Sequence, residues 1–164
     1  MFRSSTPWTS RQIEIIAELA RGLSNREIAA ECGLQPSTVS SHLRQISRSI
    51  EVSTRAGIVG YACRQGLLPA STPGAELSKP LSEREKEILD GISRGLTNKE
   101  IGQEIYLAAD TVKCHARSLY RTLHVATRTE AVAVGYRLNL LPRVAEQLLT
   151  GGSGQFFGDA AMVE

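Results

Sequence analysis

Apolar residues recur at helical spacing in a series of short stretches, each opened by a hydroxyl side chain. Ile15, Ile16 and Leu19 fall on one side of a helix. Thr9, three residues before Gln12, has the spacing of a capping box, and Gly22 supplies a stop. Ser24 with Glu27 opens a second helix of about two turns, reaching Cys32. A third begins near Pro36, and its apolar positions Val39, Leu43, Ile46 and Ile50 share one face. A fourth starts at Thr54 and runs to about Gln65, and its stretch Ile58-Val59-Gly60-Tyr61-Ala62-Cys63 is apolar on every side. Two short helices joined by a tight turn, the next one longer and amphipathic, is the helix-turn-helix plan.

The pattern then returns. Arg21-Gly22-Leu23-Ser24-Asn25-Arg26-Glu27-Ile28 matches Arg94-Gly95-Leu96-Thr97-Asn98-Lys99-Glu100-Ile101, a shift of 95 − 22 = 73. That shift also pairs Thr38-Val39 with Thr111-Val112, His42 with His115, and Leu67-Leu68-Pro69 with Leu140-Leu141-Pro142. About 25 of about 63 positions are identical without a gap, which composition alone does not give. The fold class expected is all-α: two tandem four-helix helix-turn-helix units with a flexible C-terminal tail. Repeat 1 is placed at 7–69 and repeat 2 at 80–142, with a Pro, Gly and Ser-marked linker at 70–79 between them. The tail, 143–164, opens with an amphipathic piece, Val144 to Leu149, and is read as partly disordered beyond Gly151.

Composition narrows the function. Aromatic content of 5% leaves a core of Ile, Leu, Val and Ala, suited to small helical units. Cys32, Cys63 and Cys114 are widely spaced, with no metal-ligand spacing, so they read as reduced thiols. No apolar run suggests a signal peptide or a membrane span, and the expectation is a cytoplasmic protein without membrane contact. No clustered carboxylates, nucleophile–base pair or phosphate-cradling Gly loop appears, so neither enzyme activity nor a cofactor is expected.

Net charge is only +2, so a nucleic-acid partner must show in where the charge sits. On a wheel with Val39 at zero, Ser37, Ser41, Arg44 and Arg48 lie at roughly 140–200°, opposite the core, with Ser40 and Gln45 flanking. The second copy places Asp110, Cys114, Arg117 and Arg121 there, flanked by Lys113 and Ser118. No acidic residue occurs between Pro36 and Ile50. Short side chains let a helix approach base edges, and long cations reach guanine or phosphate, so these residues with Thr38 and Thr111 are the candidate face toward double-stranded DNA. Asn25-Arg26 and Asn98-Lys99 open the second helices, where backbone N–H groups and a cation suit a phosphate. His42 and His115 sit at the core margin, where packing and a phosphate contact are both open readings. Arg55 and Arg128 are read as braces of the fourth helix.

These residues resemble the LuxR-type (GerE-type) helix-turn-helix family of bacterial regulators. The second copy carries the fuller match: Leu81-Ser82-Glu83-Arg84-Glu85, Gly95-Leu96-Thr97-Asn98-Lys99-Glu100-Ile101, Thr111-Val112-Lys113-Cys114-His115 and Arg128-Thr129-Glu130-Ala131. The resemblance implies four-helix units whose third helix enters the major groove and whose fourth often dimerises, with Lys113 at the position of the lysine that commonly contacts DNA. Repeat 1 departs from the pattern, with Trp8 for Leu, Ser40 for the lysine and Gly57-Ile58 for Glu-Ala. The family usually couples one such unit to a sensing domain, for which this sequence shows no stretch.

The function expected is a sequence-specific transcriptional regulator. The alternatives are a protein-interaction module, or a sigma-region-4-like unit contacting RNA polymerase, in which one repeat, the first before the second, has lost readout. Val59, Ala62, Cys63, Val132, Gly135 and Tyr136 are the expected interface of the fourth helices. They would pair either within the chain, as a pseudo-dimer, or between chains, as a homodimer.

Overall fold

The structure is a computed structural model and describes residues 8–68, 77 and 79–142. Most of the expected linker and all of the expected tail lie outside the described residues. Repeat 1 comprises α1 (Ser10–Ala20), α2 (Asn25–Cys32), α3 (Pro36–Ser49) and α4 (Arg55–Arg64). Repeat 2 comprises α5 (Glu83–Ser93), α6 (Asn98–Glu104), α7 (Ala109–Thr122) and α8 (Arg128–Arg137). The described residues are all-α, and none of these helices is long and apolar enough to cross a membrane.

The caps form where the sequence places them. Thr9 with Gln12, Ser24 with Glu27, Ser82 with Glu85 and Thr97 with Glu100 each close a reciprocal capping box. Thr127 with Glu130 adds one on α8. At α4 the partner position is Gly57, so Thr54 caps the helix alone. Each box satisfies two backbone donors that a helix start leaves orphaned.

Inside each repeat the helices close on the predicted apolar faces. Ile15, Ile16, Leu19, Ile28, Val39 and Ile46 are buried in repeat 1, and Ile88, Leu89, Ile92, Ile101, Val112 and Leu119 in repeat 2. The fourth helices join the two cores into one. α4 packs against α8, and each also reaches the first helix of the other repeat, α4 on α5 and α8 on α1. The same surfaces meet from both sides, an approximate two-fold relation within one chain. Val59 and Val132 are fully buried, each worth about 1.5–3 kcal/mol of transfer free energy. Ala62, Cys63 and Tyr136 are buried with them. Gly135 is also buried, but the space a side chain would need there is taken by Leu89 and Leu141 of its own repeat.

The turns repeat as faithfully as the helices. Left-handed backbone occurs at Gly22, Gly33, Glu51 and Gly66, and again 73 residues later at Gly95, Tyr106, His124 and Asn139. Gly33 and Tyr106 sit between the second and third helices, at φ 64° and 56°. A Cβ is strained in that conformation, and Tyr106 gains no packing in exchange, being 94% exposed. Tyr106→Gly should therefore raise stability by about 0.5–1 kcal/mol, and Gly33→Tyr should lower it. Thermal melts of the two variants check both signs.

Candidate nucleic-acid interface

The third helices of the repeats, α3 and α7, are held from behind. Val39, Leu43 and Ile46 bury the inner face of α3, and Val112, Ala116 and Leu119 that of α7. Polar ties fix their rotation. Buried Gln12 of α1 donates to Gln45 at 3.4 Å, and Trp8 Nε1 donates to Ser49 Oγ at 3.4 Å. At the matching places in repeat 2, Ser118 of α7 faces Glu85 of α5 and helps to lower its carboxyl pKa. Burial pushes the Glu85 carboxyl up, yet the bonds it accepts from the Ser82 N–H, Ser118 and the Ser82 hydroxyl bring it below its usual range. Gln45 and Ser118, predicted on the DNA face, thus anchor α3 and α7 to the first helices.

A second set of bonds locks the turn. Arg55 donates to Asn25 Oδ1 at 2.5 Å and to the Leu23 carbonyl at 2.7 Å, and Asn25 Nδ2 donates to Ser40 Oγ at 2.8 Å. Ser40 in turn donates to the Pro36 carbonyl. One chain of polar contacts therefore links the N-terminal ends of α2, α3 and α4. Repeat 2 keeps its outer part, with Arg128 on Asn98 Oδ1 at 2.7 Å and on the Leu96 carbonyl. Asn25, Asn98 and Ser40 spend polar atoms inside the fold, and Arg55 and Arg128 brace it. Ser41 also bonds inward, to the Ser37 carbonyl at 3.0 Å, a common use of a hydroxyl inside a helix.

What remains outward is basic. Arg26, Arg44, Arg48, Lys99, Lys113, Arg117 and Arg121 are exposed, as are Ser37, Thr111 and Cys114. Thr38, His42 and His115 are half-buried. Asp110 is exposed in the first turn of α7, where a carboxylate is favoured by the helix dipole.

Ion pairing sorts the cations. Among the described residues, paired cations come from α1, α5 and their ends: Arg11 with Glu14, Arg21 with Glu18, Arg84 with Glu87, Lys86 with Glu83, and Arg94 with both Asp90 and Glu104. The cations of α2, α3, α6 and α7 have no carboxylate partner there. A net charge near zero thus conceals paired cations on the first helices and, among the described residues, exposed cations without a carboxylate partner on α3 and α7, which the totals could not reveal. Between the repeats lies a cleft lined by Leu23, Asn25 and Arg55 and by their counterparts Leu96, Asn98 and Arg128. The sequence carried no signal for this cleft, because it needs both repeats in place.

Comparison with known proteins agrees with this architecture. The profile of the GerE group, bacterial regulatory proteins of the luxR family, matches twice, over residues 6–62 and 79–134. YhjB of Escherichia coli (strain K12), named as a candidate HTH-type transcriptional regulator, is 44% identical over 63 residues, 37% of this chain and 32% of its own length. The transcriptional regulatory protein LiaR of Bacillus subtilis (strain 168) is 43% identical over 61 residues, 37% of this chain and 29% of its own. The HTH-type transcriptional regulator MalT of Vibrio campbellii is 37% identical over 68 residues, 42% of this chain but 8% of its own. The match thus spans a third or less of these relatives. No solved structure matches. With two profile matches that together cover most of its length, this chain belongs to the luxR family of bacterial regulatory proteins.

Proposed function

We propose that this protein is a transcriptional regulator that binds specific duplex DNA, with α3 and α7 each entering a major groove. The observation that carries the reading is the sorting of charge: cations on α2, α3, α6 and α7 lack carboxylate partners among the described residues, while those of α1 and α5 are paired. A helix that presents unpaired arginines beside short side chains, fixed in rotation by its neighbours, suits a groove. Arg26 and Lys99, at the starts of α2 and α6, would hold phosphates and set the register. The relatives named as transcriptional regulators support the same role.

The two repeats read unlike half-sites, because α3 offers Ser37, Ser41, Arg44 and Arg48 where α7 offers Asp110, Cys114, Arg117 and Arg121. Repeat 2 carries more of the affinity. Lys113 is exposed on α7, whereas Ser40, its counterpart, is tied to Asn25 and Pro36. Repeat 1 retains Arg44 and Arg48 and therefore serves as the weaker reader.

Affinity for a site selected from random duplexes should fall steeply with salt, because each phosphate contact releases counterions. Arg117→Ala should cost about 1–3 kcal/mol if the guanidinium reads a base. A mobility-shift titration in which the double variant Arg44→Ala/Arg117→Ala binds like the parent would refute the interface. Lys113→Ala should weaken binding more than Ser40→Ala does, both measured in the full chain. Equal losses, or a larger one at Ser40, would reverse the ranking of the repeats.

A further inference from the structure

The approximate two-fold between the repeats is not symmetric in detail, and one set of differences lies where α4 meets repeat 2. A Cβ built on Gly60 would stand 2.0 Å from the Ser93 carbonyl oxygen, at the C-terminal end of α5. One on Gly57 would stand 2.7 Å from Gly95 Cα and 2.3 Å from Val52 Cγ1. Two backbones therefore approach as closely as glycine permits. The corresponding residues of α8 are Ala133 and Glu130, both of which carry a Cβ.

Arg64, one turn beyond Gly60, adds a polar contact across the same junction. It donates to the Ser93 carbonyl at 3.1 Å and to the Tyr136 hydroxyl at 3.3 Å. The end of α5 thus receives a cation from the other repeat, where the dipole and the orphaned carbonyls favour one. The matching residue of α8, Arg137, is exposed, and the counterpart of Tyr136 is Cys63, which has no hydroxyl.

We propose that this junction is keyed for unlike repeats, so that the fourth helices pair inside one chain and exclude a second copy of it. Seated where α4 lies, α8 of another molecule would drive the Ala133 methyl into the Ser93 carbonyl. The Glu130 side chain raises no such barrier, because it already lies against Gly22, the counterpart of Gly95. Seated where repeat 2 lies, repeat 1 of another molecule would offer Arg64 no tyrosine. The chain is then a closed pair of readers, monomeric in solution, with no fourth-helix surface left for a homodimer.

Light scattering and thermal melts of the full chain without DNA test it. The parent should remain at the monomer mass of 17.8 kDa from low to high micromolar concentration. Gly60→Ala should lower Tm and produce dimers that increase with concentration. Helix propensity alone has the opposite sign, since alanine in a helix interior is favoured over glycine. Arg64→Ala should lower Tm clearly more than Arg137→Ala, although the two occupy equivalent places in the repeats. A parent that dimerises, a Gly60→Ala variant that melts higher and stays monomeric, or equal effects at Arg64 and Arg137 would overturn the proposal.

Discussion

Each fourth helix is apolar all the way round, and no four-helix repeat of this size can cover such a helix alone. α4 buries Ala56, Ile58, Val59, Ala62 and Cys63, and α8 buries Ala131, Val132 and Tyr136. One stripe of each faces its own repeat, and the remainder needs a second surface. Here the second surface is the other repeat, so the hydrophobic requirement of α4 and α8 determines how the two units sit. The consequence is structural economy: two small cores become one, which raises the fraction of apolar surface removed from water.

Once the repeats are joined, the polar contacts set the orientation of what faces outward. Asn25, Asn98, Arg55 and Arg128 tie the starts of the second and fourth helices together in each repeat. Gln12 with Gln45, and Glu85 with Ser118, tie the third helix to the first. The side chains so consumed have polar atoms committed inside the fold. Those left over on α3 and α7, chiefly arginine and lysine, are exposed.

Duplication has left the two units similar in frame and unlike in detail. Gly33 has Tyr106 as its partner in the repeat, Gly57 has Glu130, and Ser40 has Lys113. The first difference leaves backbone strain in repeat 2, the second removes a capping carboxylate from repeat 1, and the third puts a cation on one third helix only. Under the function proposed above, a single chain with two unlike third helices addresses a site with no symmetry, which a homodimer of one repeat does only at a cost in fit.

The sequence by itself determined the local structure: eight helices among the described residues, their capping boxes, their buried stripes and the 73-residue repeat. These depend on neighbours three or four positions away, and such information is written along the chain. It also located the basic face of α3 and α7, because the angle of a residue on a helix follows from its spacing. Only the tertiary structure decided which polar residues on that face are free. Asn25, Ser40, Gln45 and Ser118 have partners 15 to 33 residues away, and no periodicity reveals them. Whether the fourth helices pair within one chain or between two was equally hidden, since an all-round apolar helix announces that it must be covered without saying by which copy. The answer lay in Gly57, Gly60 and Arg64, whose fit depends on the backbone of the other repeat at Ser93 and Gly95.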